Sequence, residues 1–209
     1  MKIAVICANG KAGKLITKEA VDRGLDVTAV VRGENRSAAA KSLVKDLMDL
    51  TKDDLKDFDV VIDAYGVFDP DKLSLHSVTS KHLCDILSNT DTRLLIVGGA
   101  GSLYTDKSHK MQLLEAPDFP ADYLPLAKAQ SKELDELRKR SDVKWTFVSP
   151  AADFQADGER TGKYLLGGEE LTLNEAGESV ISYADYAIAM VDEATKGNHI
   201  QSRICAVKA

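Results

Sequence analysis

The chain has 209 residues, of which 44% are hydrophobic and 29% charged, and its net charge is −6. That length suits one substantial hydrophobic core and is short for two independent domains. The acidic balance argues against a broad phosphate-binding surface, so nucleic acid is not an expected partner, although a local basic pocket for one anionic ligand remains compatible with it. Cys7, Cys84 and Cys205 are widely spaced, with no CxxC pair and no clustered Cys/His set. They read as reduced thiols and give no support for structural zinc. The opening MKIAVICANG lacks the longer apolar region and cleavage site of a signal peptide. No stretch approaches the roughly 18 apolar residues of a membrane span. The expected location is the cytoplasm, without a membrane partner.

In chain order, Ile3–Cys7 reads as a buried strand and Leu15–Arg23 as a helix with Leu15, Ile16, Ala20 and Val21 inward. Val27–Val31 is the second strand, Leu43–Val44 a short third and Asp59–Ala64 a clear fourth. Helical spacing runs over Lys72–Leu87; Leu94–Val97 is a fifth strand, Leu126–Arg140 a strong helix and Trp145–Val148 a sixth strand. Such β-α-β alternation with near-continuous apolar strands predicts an α/β Rossmann doubly wound parallel sheet covered on both faces, of order 3-2-1-4-5-6. A ligand crevice is then expected at the carboxyl ends of strands 1 and 4. After Pro150 come strand-like pieces at Lys163–Leu166 and Leu171–Leu173, a helix at Tyr183–Ala194 and a last strand near Arg203–Val207. Residues 150–209 are read as a small substrate-side cap on a single domain spanning 1–209. The segment Gly98–Pro125 is long for a loop, which points to function or disorder.

Between the first strand and the first helix stands Cys7-Ala8-Asn9-Gly10-Lys11-Ala12-Gly13. A dinucleotide site needs glycine in such a turn because the backbone must bend sharply and approach a pyrophosphate closely. The helix that follows offers unpaired N–H groups and a positive dipole end to the phosphates. Gly10 and Gly13 have the spacing of the last two glycines of a GxxGxxG turn, and Cys7 stands in the place of the first. A strand-to-helix turn without a ligand is the bland alternative. Arg32, at the end of the second strand, lies where an NAD-preferring site often carries a carboxylate. A guanidinium there can pair with a 2′-phosphate, and Lys11 adds a second charge. NADP(H) is therefore favoured; Glu34 keeps NAD(H) in play.

The chain resembles the atypical short-chain dehydrogenase/reductase group, and within it the NADH-flavin reductase proteins related to the biliverdin reductase B-like and NmrA-like NAD(P)-binding proteins. The likeness covers nearly the full length. It rests on the turn, Val31-Arg32, Asp63-Ala64-Tyr65-Gly66, Val97-Gly98-Gly99-Ala100-Gly101-Ser102 and Pro117-Asp118-Phe119-Pro120. It continues through Trp145 to Ala152, Gly158-Glu159-Arg160-Thr161-Gly162-Lys163-Tyr164 and Ile181-Ser182-Tyr183-Ala184-Asp185-Tyr186-Ala187. The resemblance implies that Asn9, Gly10, Lys11, Ala12 and Gly13 hold the pyrophosphate, that Arg32 holds the adenosine end, and that Asp46 and Leu47 contact adenine. It implies that Ala64, Tyr65 and Gly66 lie along the ribose and nicotinamide. Gly98, Gly99, Ala100, Pro150 and Ala151 would border the nicotinamide. Two departures stand out: Cys7 replaces the usual glycine and Asn9 the usual threonine. Cys7 either crowds the turn or turns its side chain into the core, and packing is the reading preferred.

Carbonyl reductases of the wider group pair Tyr and Lys in a Tyr-x-x-x-Lys spacing on one helical face. The nearest approach here, Tyr123 with Lys128, separates the two by about 140° on a helix, and Pro125 intervenes. Without a built-in acid, hydride transfer to an electron-poor planar ring such as a flavin is the activity expected, with water supplying the proton. Ser102 is the one weak catalytic candidate, more simply a hydrogen-bonding wall. Tyr104, Phe119, Tyr123 and Phe154 are candidate walls of the acceptor site, and Arg160 a candidate for an acidic substrate, on a segment that is either a mobile rim or a tight turn. The other reading is a non-enzymatic NADP(H)-binding redox sensor. His76, His82, His109 and His199 share no metal-ligand spacing, no metal is expected, and His76 and His82, six apart on a predicted helix, are read as solvent-exposed.

Overall fold

In the computed structural model, which describes Met1–Ala209, the first strand β1 (Lys2–Ile6) is buried from Ile3 through Ile6. Burial on both sides explains its unbroken apolar run. It pairs in parallel with β2 (Asp26–Val31) and with β4 (Val60–Asp63). Beyond β2 lies β3 (Lys41–Val44), and beyond β4 lie β5 (Arg93–Val97) and β6 (Lys144–Ser149), all parallel. This is the doubly wound Rossmann-type sheet of order 3-2-1-4-5-6 read from the sequence.

The C-terminal stretch does more than cap this sheet. Its strand β10 (Ser202–Lys208) adds in parallel beside β6, and β8 (Tyr164–Gly167) closes the edge in antiparallel register. β10 is buried from Arg203 to Val207, so it needs cover on both faces and finds it only inside the sheet. The part that stands apart is a two-stranded ribbon of β7 (Asp153–Gln155) and β9 (Val180–Ser182). The strand expected at Leu171–Leu173 does not form: Leu173 is exposed, and only Glu170 makes an isolated bridge, to Tyr104.

Successive strand residues face opposite sides. Ile3 and Val5 join a core with helices α1 (Lys11–Asp22) and α5 (Tyr183–Lys196); Ala4 and Ile6 join the other, roofed by α3 (Leu75–Leu87) and α4 (Leu124–Leu137) with the single turn α2 (Lys52–Leu55). Helix α4 starts two residues earlier than its periodicity suggests, because Pro125 fits its first turn, where a missing N–H loses no bond. The segment 98–123 is ordered by short 3₁₀ turns at Leu113–Glu115 and Ala121–Tyr123 and by the bridges of Tyr104 to Gln112 and Glu170. No helix is long and apolar enough to cross a membrane.

Candidate functional site

The parallel strands present their carboxyl ends on one edge, and the strand order reverses between β1 and β4, which opens a crevice there. At the end of β1, Cys7 holds φ +58°, a left-handed conformation that glycine adopts freely and cysteine does not. Its carbonyl accepts the Gly10 N–H at 2.8 Å. Its side chain packs against the α3–α4 core, and burial pushes the thiol up to about 12, so it stays protonated and behaves as a small apolar group.

Helix α1 then descends onto this strand end. A Cβ on Gly13 would stand 2.4 Å from the Cys7 carbonyl oxygen, so only glycine permits the approach. Gly10 is the N-cap and supplies no capping side chain, and the first turn contains no acid. The first bond into the helix is Lys14 N–H to the Gly10 carbonyl at 2.9 Å. The N–H groups of Lys11, Ala12 and Gly13 therefore lack intrahelical partners at the positive end of the helix dipole.

Asn9 accounts for its own departure from threonine. Its Nδ2 donates to the Glu34 carbonyl at 2.8 Å, and its Oδ1 accepts the Arg36 N–H at 2.7 Å. An amide offers both a donor and an acceptor at that reach, so Asn9 ties the turn to the loop that follows β2. That tie holds the Arg36 backbone beside the turn, and Arg32, Arg36 and Lys11 are all exposed. The sequence reading misses Arg36; its only signal is a second arginine four residues after Arg32. Asp46 caps a short turn by accepting the Met48 N–H at 3.0 Å, while the Leu47 side chain is buried in the core.

Across the crevice, Asp63 ends β4. It is 2% exposed, burial pushes its carboxyl up to about 6, and its Oδ1 accepts the Tyr65 N–H at 2.9 Å. Cys7 and Tyr65 both lie in the fields of Arg32, Asp46 and Asp63, so these five share one locality. Ala64 is tied to β1 through the Ile6 carbonyl at 3.2 Å, Tyr65 is half-buried and Gly66 exposed. At the end of β5 the glycines answer to packing. A Cβ on Gly98 would strike the Phe147 ring at 2.2 Å, and one on Gly99 the Gln130 side chain at 2.1 Å. Ser149 Oγ donates to the Gly99 carbonyl at 2.8 Å, which holds the β5 and β6 ends together, and Cys205 Sγ donates to the Pro150 carbonyl at 3.6 Å, which ties β10 to the end of β6. Ala100 is half-buried, and Ala151 is buried.

The residues expected on the acceptor side are dispersed. Ser102 is 4% exposed and accepts a bond from Arg203 Nη1 at 3.1 Å. Tyr104 stacks on His109 with ring centroids 4.3 Å apart. Phe119 is half-buried and Tyr123 exposed. Phe154 stacks at 3.9 Å on Tyr183, an aromatic the sequence reading does not single out. Arg160 is paired with Glu19 at 2.9 Å, about 12 Å along α1 from its start at 1.5 Å per residue, so it does not join the strand-end group. Its loop is no free rim either, since the N–H groups of Thr161 and Gly162 bond to the Asp185 carboxylate. Tyr123 precedes α4 and Lys128 lies within it; both are exposed, and neither bonds the other. His76, read as solvent-exposed, is 2% exposed, because its ring sits between α3 and the segment that leaves β4.

Residues 7–195 match a family model described as NAD(P)H-binding. A crystal structure from Streptococcus pneumoniae TIGR4, provisionally designated an NADH-flavin reductase, is 56% identical with a TM-score of 0.98, and the likeness covers 100% of both chains. A Lactobacillus casei structure is 32% identical with a TM-score of 0.90, again over 100% of both. YwnB of Bacillus subtilis (strain 168) is 44% identical over 99% of this chain and 98% of its own.

Proposed function

This chain belongs to the NAD(P)H-binding family, and we propose that it is an NAD(P)H-dependent oxidoreductase that prefers NADPH and reduces a flavin or a similar planar acceptor. One observation carries the reading: helix α1 begins without a cap, over a turn that only Gly13 allows to close so tightly. That arrangement fits a pyrophosphate, with the N–H groups of Lys11, Ala12 and Gly13 as donors. Arg32 and Arg36 are the side chains suited to a 2′-phosphate by fork-shaped donation, where a carboxylate at the same place would repel the phosphate. Ala64 to Gly66, Gly98 to Ala100, Pro150 and Ala151 border the remainder of the crevice, and Asp46 and Leu47 its adenine end.

A reduced nicotinamide, when bound, supplies the hydride. The protein's part is to hold two planar groups face to face. Of the dispersed candidate rings, the Phe154–Tyr183 stack is the one proposed to meet the acceptor. No Tyr–Lys pair shares a helical face, which favours an acceptor that takes its proton from water. The designation of the Streptococcus pneumoniae relative supports the flavin assignment.

Titration with NADPH and NADH, followed by steady-state assay with FMN, FAD and riboflavin, tests the proposal. NADPH is expected to bind more tightly than NADH and to reduce flavin faster than the uncatalysed reaction. No binding of either nucleotide at millimolar concentration would overturn it. Tight binding without turnover would favour an NADP(H)-sensing module instead, the reading that the missing Tyr–Lys pair also allows.

A further inference from the structure

The segment Ala64–Phe68 runs off β4 with no strand partner of its own. It is held from beneath at two points. Asp63 takes the Tyr65 N–H at 2.9 Å, and His76 Nε2 meets the Val67 carbonyl at 3.1 Å. A carbonyl only accepts, so Nε2 carries the proton and, in the neutral ring, Nδ1 is the bare nitrogen. The Tyr65 ring packs edge-on against the same imidazole, with centroids 5.7 Å apart.

Nδ1 faces a second buried group. Glu133, on α4, is 2% exposed and brings Oε2 to 3.8 Å from His76 Nδ1, and that oxygen has no hydrogen-bond partner. The polar groups around the pair are Asp63 and Tyr65 from the β4 side and Ser80 from α3, and no cation is among them. A carboxylate buried there would stand unpaired, which costs far more than keeping its proton. Burial and the Asp63 charge hold Glu133 well above the usual carboxylate range, and burial holds His76 below 6.5. Both shifts favour the neutral form of the group. A plain core would fill this space with leucine and avoid leaving a polar atom unsatisfied.

We propose that His76 is a positioning residue of the cofactor site. Its ring clamps the Val67 carbonyl, and with it the Ala64–Phe68 segment, while Glu133 lies against the other ring nitrogen at 3.8 Å. The cofactor half of this inference rests on the function proposed above; the clamp itself does not.

The test compares wild type with His76→Gln, His76→Leu and Glu133→Gln. Glutamine places an N–H donor near the position of Nε2, and leucine removes it. Hydrogen exchange of the Tyr65 N–H, the amide of this segment that Asp63 holds, measured without cofactor, should rise about tenfold in His76→Leu and stay within about threefold in His76→Gln. The Kd for NADPH should follow the same pattern, and Glu133→Gln should leave both within about threefold. His76→Gln as damaged as His76→Leu, or His76→Leu indistinguishable from wild type, overturns the clamp. Glu133→Gln as damaged as His76→Leu would mean that Glu133 acts as a carboxylate and overturns its neutral place beside the ring. Should His76→Leu not fold, the ring nitrogens of wild-type His76 decide by NMR. A fixed Nε2–H tautomer from pH 5.5 to 8.5 supports the proposal, and a ring that titrates near 6.5 overturns it. If wild type bound no nicotinamide nucleotide, the functional reading would fall, and the exchange comparison would still decide the clamp.

Discussion

Replacing Gly13 by alanine puts one methyl group where the turn has no room. Its Cβ would lie 2.4 Å from the Cys7 carbonyl oxygen and 3.1 Å from both Ala8 Cα and the Cys7 carbonyl carbon. Every one of those atoms is main chain, so no rotamer change relieves the contact. Ordinary separations begin near 3.5 Å, and α1 must lift by roughly 1 Å. Overpacking of this kind costs about 1–3 kcal/mol of stability. The lift also carries the N–H groups of Lys11 to Gly13 away from where an anion would meet them. Losing one such charge-assisted bond, at about 1.5–3 kcal/mol, weakens NADPH binding by roughly tenfold to a hundredfold. Gly10→Ala is the internal control. Its Cβ would stand 3.2 Å from the same oxygen, and its φ of −69° is open to alanine. It should lose less than about 1 kcal/mol. Urea unfolding and fluorescence titration with NADPH on the three proteins read both quantities. Wild-type affinity in Gly13→Ala, or an equal loss of stability in Gly10→Ala, would refute the steric argument.

Three further outcomes follow from the same geometry. Cys7→Gly removes left-handed strain worth about 1 kcal/mol and loses a half-buried thiol, so its Tm and its NADPH affinity should stay close to wild type. Cys7→Val, β-branched at φ +58°, should fall by several degrees in a thermal melt. Asp63 ionises near 6 against an ordinary 3.8, so charging it in the folded chain costs about 3 kcal/mol at about 1.4 kcal/mol per pH unit. The raised value means that its contribution is full below about pH 4 and lost as pH climbs through 6. The stability of Asp63→Asn relative to wild type should therefore rise between pH 4 and 8, and a flat difference would contradict the burial argument. Arg36→Ala should raise the Kd for NADPH about tenfold and leave NADH within about twofold; equal losses on both would remove Arg36 from the 2′-phosphate end.

The sheet was legible because a strand buried on both faces leaves an unbroken apolar run, as Ile3–Ile6 and Val60–Ile62 do, and the longer amphipathic spacings between them can only be crossovers. The phosphate turn was legible for a similar local reason: Gly10 and Gly13 stand between a strand and a helix within seven residues of the first motif position. What was not legible depends on contacts distant in sequence. Arg36 enters the site through Asn9, 27 positions away. His76 reads as a surface histidine on helical spacing alone, and becomes buried only because Val67 folds back over α3 and Glu133 arrives on α4. β10 looks like part of a cap until the sheet is assembled and its burial on both faces has to be met. Arg160 was misdirected in the same way, since its partner Glu19 lies on the first helix.

The fate of Ser102 bears on how the crevice could work. It was the one side chain with a catalytic precedent, and its oxygen lies inside the protein, where it accepts Arg203 Nη1. Arg203 is itself fully enclosed, held by the Glu169 carbonyl at 3.0 Å and by the Glu169 carboxylate, and its Nε has no partner. Tyr104 is similarly engaged with His109, and Arg160 with Glu19. Apart from Asp63, whose carboxyl is bonded to the Tyr65 N–H, and the charged Arg32 and Asp46, what remains at the strand ends is main chain, small residues and rings, the inventory of a reaction driven by placement more than by proton transfer. Ser102→Ala separates the two. Removing Oγ leaves a buried guanidinium donor unpaired, which should lower stability by about 1–3 kcal/mol. If placement dominates, kcat for flavin reduction should stay within about threefold of wild type at a temperature where the variant is folded. A loss of a hundredfold or more in kcat, with NADPH affinity unchanged, would put Ser102 back among the reacting groups.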